Sequence, residues 1–349
     1  MRNVEVESRK IGPGYPCFIV AEAGVNHNGS VELARRLVDA AVEARADAVK
    51  FQTFKAERLV TPDAPKADYQ LQTGGSGESQ FEMLQQLELS LEAHRELFEH
   101  CRQRGILFMS APFDEECADL LDNLGVAIYK IPSGEITNLP FLVHVASKGK
   151  PMIVSTGMSY LDEVNAAVRV IQDAGNKSLV LLHSVNAYPA SPADANLRAM
   201  HTMSREFNVP VGYSDHTPGI EVALAAVALG ACVIEKHFTL NRDLSGPDHK
   251  TSLEPDELVA LVRGIRSVEN ALGHGRKEPA PGEVKIASVA RKSLVAARNI
   301  RAGSTLTEES ILLKRPGTGL PAAMRSKLVG RKAKQDIPAG TVLTLEMLA

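Results

Sequence analysis

The chain has 349 residues, 44% hydrophobic and 23% charged, with a net charge of −3, which is the make-up of a globular protein with room for one large domain and a small one. No apolar run approaches the ~18 residues of a membrane helix, and the first residues, Met1 to Glu7, lack the charged-then-apolar build of a secretory signal. Four scattered cysteines form no C-x-x-C pair, so the chain reads as a reduced, cytoplasmic protein with no sulfur metal site and no membrane partner.

Up to about residue 270, short β-branched runs alternate with amphipathic segments. The runs at 18–21, 48–52, 107–110, 128–131, 152–155, 179–183, 209–212 and 232–235 read as buried parallel strands. Helices are predicted to start near Ser30, Leu91, Asp114, Asn138, Leu161, Asn196, Gly219 and Glu254. Ser30 is a good N-cap, and Pro255 suits a first helical position. Eight such units predict a (β/α)₈ TIM barrel over residues 1–272. A doubly wound sheet would carry a G-x-G-x-x-G loop after strand one, and Glu22-Ala-Gly-Val-Asn-His-Asn-Gly29 is not one.

The stretch from Lys55 to Ser90 is polar and, at 36 residues, long for a βα connection. It reads either as a lid over the carboxyl face or as a surface excursion. A linker is expected over 273–287 and a small β-rich domain over 288–349. In that last part Asn299-Ile-Arg-Ala-Gly-Ser-Thr-Leu-Thr307 recurs as Asp336-Ile-Pro-Ala-Gly-Thr-Val-Leu-Thr344, offset by 37, which predicts a pseudo-twofold unit. Residues 281–349 hold 12 Lys/Arg against 5 Asp/Glu, and the remainder 27 against 37, so a +7 module follows a −10 one. The basic part has no Phe, Tyr or Trp for base stacking, which argues against nucleic acid and for docking to an acidic surface.

Catalytic residues of a barrel sit at the carboxyl ends of its strands. Lys50 and Lys130 lie inside strands, where a buried cation is costly unless it meets an anion. With Ser110, Ser133, Ser155 and Asn186 they form a candidate site for a phosphate and a carboxylate, and Ser214 ends strand seven nearby. His216 and His237 end adjacent strands, so one divalent ion could bridge them, with open positions for Lewis-acid work. Nitrogen and oxygen ligands suit Mn, Zn, Co or Fe better than Mg. A metal-dependent hydrolase with Glu22 as base, and a non-catalytic carbohydrate-binding protein, are competing readings.

The strings Ala21-Glu-Ala-Gly-Val-Asn-His-Asn-Gly29, Val49-Lys-Phe-Gln-Thr53, Lys130-Ile-Pro-Ser-Gly-Glu135, Ser155-Thr-Gly-Met158, Gly212-Tyr-Ser-Asp-His216, Glu235-Lys-His-Phe-Thr239 and Gly246-Pro-Asp-His249 resemble those of bacterial sialic acid synthases. The closing repeat resembles their antifreeze-like (SAF) domain. The resemblance implies condensation of phosphoenolpyruvate with an N-acetylated amino sugar and water, releasing phosphate by C–O cleavage. It implies that His216 and His237 hold Mn²⁺ (Mg²⁺ or Co²⁺ as substitutes), and that Lys50, Lys130, Ser110, Ser133, Ser155 and Asn186 hold phosphoenolpyruvate. Ser110 would stand where the family often has Thr. Glu22 would move a proton or place the attacking water, and Gln52, Glu135, Tyr188 and Asp248 would hold sugar hydroxyls. Arg315 would reach the N-acetyl group from the partner subunit of a domain-swapped homodimer. N-acetylmannosamine, giving N-acetylneuraminate, is the favoured acceptor; a 6-deoxy diacetamido sugar, giving diacetyllegionaminate, is the alternative.

Overall fold

The computed structural model describes residues 3–66 and 79–349, divided into two compact units, Met1–Gly273 and His274–Ala349. The first unit opens on an antiparallel hairpin, β1 (Val4–Val6) and β2 (Arg9–Ile11), which has no counterpart among the predicted elements. Eight parallel strands follow: β3 (Phe18–Gly24), β4 (Ala48–Thr53), β5 (Leu107–Pro112), β6 (Tyr129–Ile131), β7 (Met152–Ser155), β8 (Leu179–Ser184), β9 (Val211–Asp215) and β10 (Val233–His237). They are ordered β5-β4-β3-β10-β9-β8-β7-β6, and β5 lies against β6, which closes the (β/α)₈ barrel.

The helices are α1 (Val31–Glu43), α2 (Ala56–Leu59), α3 (Gln80–Gln86), α4 (Leu91–Arg104), α5 (Glu115–Leu124), α6 (Leu139–Ser147), α7 (Leu161–Asp173), α8 (Arg198–Phe207), α9 (Glu221–Ala228) and α10 (Pro255–Leu272). Their starts follow local chemistry. Ser30, Ser90, Asp114 and Asn138 each accept a backbone N–H of the first turn. Of the long 55–90 stretch, α2 and α3 lie in the described residues, and Phe54, Met83 and Leu87 pack together beneath them. Its tip, Thr73–Glu78, lies outside the described residues.

Alternation along the strands sorts side chains into two cores. Ile19, Phe51, Phe108, Tyr129, Val154, Leu181, Tyr213 and Ile234 face the helices. Phe18, Val20, Ala48, Met109, Ile128, Ile153, Val180, Leu182 and Val233 fill the lumen, and Val4, Val6 and Ile11 of the hairpin close its amino-terminal end. The lumen is therefore plugged with apolar side chains below, and the polar residues of the strands stack on that floor.

The second unit contains α11 (Pro281–Ala290), the antiparallel pair β11 (Ser293–Ala296) and β12 (Ile311–Lys314), and α12 (Arg325–Leu328). The expected linker is thus helical from Pro281, because Pro281 and Glu283 supply a helix start. The two copies of the repeat pair with each other about a pseudo-twofold axis. Ile300 and Ile337 exchange both backbone hydrogen bonds, at 2.9 and 2.8 Å. Asp336 Oδ1 accepts from Ala302 N at 2.7 Å, and Asn299 Oδ1 from Ala339 N at 2.8 Å. Leu294, Leu306, Ile311 and Leu343 fill the core around that axis.

Candidate active site

One turn of the strand alternation above the apolar floor, the lumen becomes ionic. The inward positions two residues beyond Val20, Ala48, Ile128, Ile153 and Val233 are Glu22, Lys50, Lys130, Ser155 and Glu235. All five are buried. Lys50 Nζ lies 2.8 Å from Glu22 Oε2 and 3.2 Å from Glu235 Oε2, and Lys130 Nζ lies 3.0 Å from Glu235 Oε1. Ser214 Oγ donates to Glu235 Oε1 at 3.0 Å. The protein itself therefore neutralises the two strand lysines, with a second carboxylate, Glu235, that the sequence reading gave no role. Its signal was position: two residues before His237, on the same face of the strand.

Charge and burial compete in this cluster. Burial pushes Lys50 down to about 7, against the upward pull of Glu235 and with a further push from Lys130. Glu235 is held well below the usual carboxylate range, because both lysines and Ser214 outweigh the cost of its burial. Neither oxygen of Glu22 has a hydrogen-bond partner among the described residues, although Oε2 is ion-paired. Ser155 Oγ is likewise buried and unpartnered. Ser133 Oγ accepts from Gly157 N at 3.0 Å, which leaves its own proton to donate. A Cβ at position 157 would come within 2.2 Å of Asn186 Oδ1 and 2.9 Å of Ser133 Oγ, so only glycine lets these two side chains converge. Ser133 and Asn186 thus converge over Gly157, and Lys130 and Ser155 take lumen positions on the adjacent strands β6 and β7.

Ser110 does not join them. Along β5, Phe108 and Ser110 face the helices while Met109 and Ala111 face the lumen. Ser110 Oγ lies 2.6 Å from Thr53 Oγ1, and that oxygen lies 2.8 Å from His94 Nε2. His94 Nδ1 meets the Ser90 carbonyl at 2.8 Å and so carries the proton. Nε2 then accepts from Thr53, and Ser110 donates to Thr53. The Ser110 hydroxyl is committed to the barrel wall, and Ala111 takes the lumen position. Ser214, similarly, is engaged in supporting Glu235.

The two histidines sit one step higher. Their ring centroids are 5.5 Å apart, and the Tyr188 ring lies 4.3 Å from His216 and edge-on to His237 at 5.8 Å. His216 Nδ1 donates to the Val185 carbonyl at 2.7 Å, leaving Nε2 with its lone pair. His237 Nδ1 makes no hydrogen bond, and its nearest acid, Asp248 Oδ2, is 3.8 Å away. Burial pushes His216 down to about 4 and His237 well below its ordinary value. Both imidazoles are therefore neutral at neutral pH, as metal ligands must be. A tautomer fixed by a carbonyl is the usual support of a ligating histidine. No group of three or more His, Cys, Asp or Glu suited to a metal occurs among the described residues. The donor set fits a metal with two protein ligands and open positions.

Around the pair, Glu22 Oε1, Asp248 Oδ2 and His237 Cε1 lie 3.0, 3.5 and 3.5 Å from where a Cβ on Gly24 would be. This glycine, at φ +52°, leaves a small gap into which all three point. Burial raises Asp248 to about 6, against the pull of Lys50. Gln52, Glu135 and Tyr188 are half-buried at the rim, where Glu135 accepts from Asn138 at 2.8 Å. Arg315 is an exposed residue of the second unit, just after β12.

The assembled site has a buried lysine–carboxylate cluster and a neutral imidazole pair within one lumen. The chain is 49% identical over 339 residues to the N,N'-diacetyllegionaminic acid synthase of Legionella pneumophila, covering 96% of this chain and 95% of that one. It is 38% identical to the N-acetylneuraminate-9-phosphate synthase of mouse, covering 88% and 85%. The solved N-acetylneuraminic acid synthetase of Leptospira borgpetersenii, in complex with citrate, aligns with a TM-score of 0.74 at 36% identity over 82% of this chain and 95% of that one. The SAF domain model matches residues 291–349. The NeuB family model matches residues 37–277, and the chain, an enzyme of the sugar-acid synthase type, belongs to the NeuB family.

Proposed function

We propose that the enzyme condenses phosphoenolpyruvate with the open-chain aldehyde of a 6-deoxy diacetamido sugar, giving N,N'-diacetyllegionaminate and phosphate. The acceptor choice rests on one observation: 49% identity to diacetyllegionaminic acid synthases from two organisms, against 38% to the mouse neuraminate 9-phosphate enzyme. The sequence motifs are shared by both branches, so the expectation of N-acetylmannosamine gives way to the alternative that the relatives favour.

In this reading Lys50, Lys130, Ser133, Ser155 and Asn186 hold the phosphate and carboxylate of phosphoenolpyruvate, the unpartnered Ser155 hydroxyl donating. His216 and His237 hold a divalent ion, with Mn²⁺ the ion proposed, which when bound supplies Lewis acidity toward the aldehyde oxygen. Glu22, with two oxygens free of hydrogen bonds, orients the water that adds to the oxygen-bearing carbon as positive charge develops there. Asp248, Gln52, Glu135 and Tyr188 hold the sugar hydroxyls. Asp248 is suited to this because its buried carboxyl lies beside His237 at the mouth of the Gly24 gap.

Arg315 is proposed to bind an acetamido group in a cytoplasmic, domain-exchanged homodimer. Helix α11 supports the exchange, since it buries none of its side chains and exposes Val284, Ile286 and Val289 at 61, 62 and 66%. Arg315→Ala is expected to raise the KM of the sugar about tenfold, the worth of one charged hydrogen bond, with the KM of phosphoenolpyruvate unchanged. Equal effects on both would remove its acetamido role.

The decisive assay is phosphate release with phosphoenolpyruvate and each sugar, with and without EDTA. We expect turnover that EDTA abolishes and Mn²⁺ restores. The diacetamido sugar should exceed N-acetylmannosamine in kcat/KM by at least about tenfold, because a site built for a second acetamido leaves polar groups unpaired without it. The opposite preference would return the neuraminate reading. Activity without phosphoenolpyruvate would favour the hydrolase.

A further inference from the structure

The residue just before each histidine is charged, buried and turned away from the lumen. Asp215 precedes His216 on β9, and Lys236 precedes His237 on β10. Each is 1% exposed. Alternation points them outward, under the helical layer, where Lys236 Nζ meets Asp215 Oδ2 at 2.7 Å. Lys236 Nζ also donates to the Thr217 carbonyl. Asp215 Oδ1 accepts from Thr217 N at 2.9 Å and from Thr217 Oγ1 at 2.8 Å. Both carboxylate oxygens are thereby engaged within the protein, and the pair has no route to substrate.

A buried ion pair is a poor source of stability, since apolar residues of the same volume often do as well. Its position suggests another use. The β9–β10 ladder pairs Ile234 with Tyr213, Glu235 with Ser214, and Lys236 with Asp215, and there it ends. His216 and His237 lie one residue beyond the last rung. His237 is registered against Glu22 of β3, on its other side. His216 is held by its Val185 bond and by Ala190 N donating to its carbonyl at 2.9 Å. The last rung of the ladder therefore lies directly before both histidines. At that rung the Asp215–Lys236 side-chain pair adds a second tie between the two strand ends, and it also fastens the turn after His216 through Thr217.

We propose that Asp215 and Lys236 are positioning residues: a side-chain staple that sets the separation of the two imidazoles and so the affinity for a divalent ion. The proposal rests on the reading of His216 and His237 as metal ligands. Its test is Mn²⁺ binding to the full-length protein, followed by the EPR signal of free Mn²⁺, alongside thermal unfolding in EDTA.

In the double variant Asp215→Asn/Lys236→Met both charges go together, so neither is left buried alone. The Asn carbonyl still accepts from Thr217. The expected result is a metal-free Tm near that of the native protein and a Mn²⁺ Kd weakened about 10- to 100-fold, the usual effect of losing an outer-shell partner. Native Mn²⁺ affinity in the folded double variant overturns the staple. His237→Ala, measured in parallel, separates the two claims. If it binds Mn²⁺ as the native protein does, the metal reading itself fails; if it loses Mn²⁺ while the double variant keeps it, only the staple fails. Should the double variant not fold, Lys236→Arg carries the same test, because it keeps the charge pair on a longer arm. A weakened Kd at unchanged Tm supports the staple, and an unchanged Kd overturns it.

Discussion

His237→Ala is expected to lose metal-dependent turnover by about three orders of magnitude or more while the barrel stays folded. The size follows from the ligand count. The two imidazole rings lie 5.5 Å apart and no third His, Cys, Asp or Glu completes a cluster among the described residues, so under the proposed assignment the variant would keep one protein ligand. Lewis-acid activation is worth several kcal/mol, and about 4 kcal/mol is a thousandfold in rate. The fold should survive because His237 contributes little to it: Nδ1 is buried without a hydrogen bond. Removing such a nitrogen relieves a desolvated polar atom and offsets much of the lost packing, so unfolding should shift by no more than about 1–2 kcal/mol. Phosphate release and metal content, measured on the same preparation, check both halves. Native turnover, or native metal content, would refute the assignment of His237.

The contrast between the histidines and Ser110 marks how far the sequence could be read. A histidine at the end of a β-branched run is placed by the run itself, and the two runs are neighbours because only one helix, α9, separates them. The helix starts were legible for the same local reason, as Ser30, Asp114 and Asn138 all cap as their chemistry dictates. Facing is less forgiving. One residue of register decides between lumen and helix layer, and in Phe-Met-Ser-Ala the polar residue is the one turned outward, toward Thr53 and His94. Nothing in the local string says so. The pairing of Lys50 with Glu235 was also hidden, because β3 and β10, the first and last strands of the barrel, meet only when the barrel closes. The β1–β2 hairpin escaped because three-residue strands are too short for a periodic signal, although Val4 and Val6 alternate as lumen residues should. The repeat was visible as a repeat, yet the mutual pairing of Ile300 with Ile337 belongs to the symmetry of the folded unit. The acceptor sugar lies outside all of this, since the shared motifs describe the site that both branches use.

Lys50→Met is expected to cut kcat/KM for phosphoenolpyruvate about 10- to 150-fold and to abolish an alkaline limb expected of the native enzyme near pH 7. Burial pushes the Lys50 ammonium down to about 7, so in the free protein its charge fades as pH rises through that value. A phosphate dianion needs the charged form, and one charged hydrogen bond to it is worth about 1.5–3 kcal/mol. In the native enzyme kcat/KM should therefore fall with rising pH above about 7. The bound dianion raises the lysine's pKa, so kcat at saturating phosphoenolpyruvate should stay flat over the same range. The variant has a second consequence. Glu22 is ion-paired at 2.8 Å to Lys50, whereas Glu235 keeps Lys130 at 3.0 Å. Losing Lys50 strands the Glu22 carboxylate, and an uncompensated buried charge costs about 3–5 kcal/mol. Adding Glu22→Gln should recover most of that loss in Tm and none of the activity. Thermal unfolding together with pH profiles of kcat and kcat/KM separates the two effects. A limb near pH 7 that persists in Lys50→Met would move the titration to another group, and an unchanged kcat/KM would remove Lys50 from the phosphoenolpyruvate site.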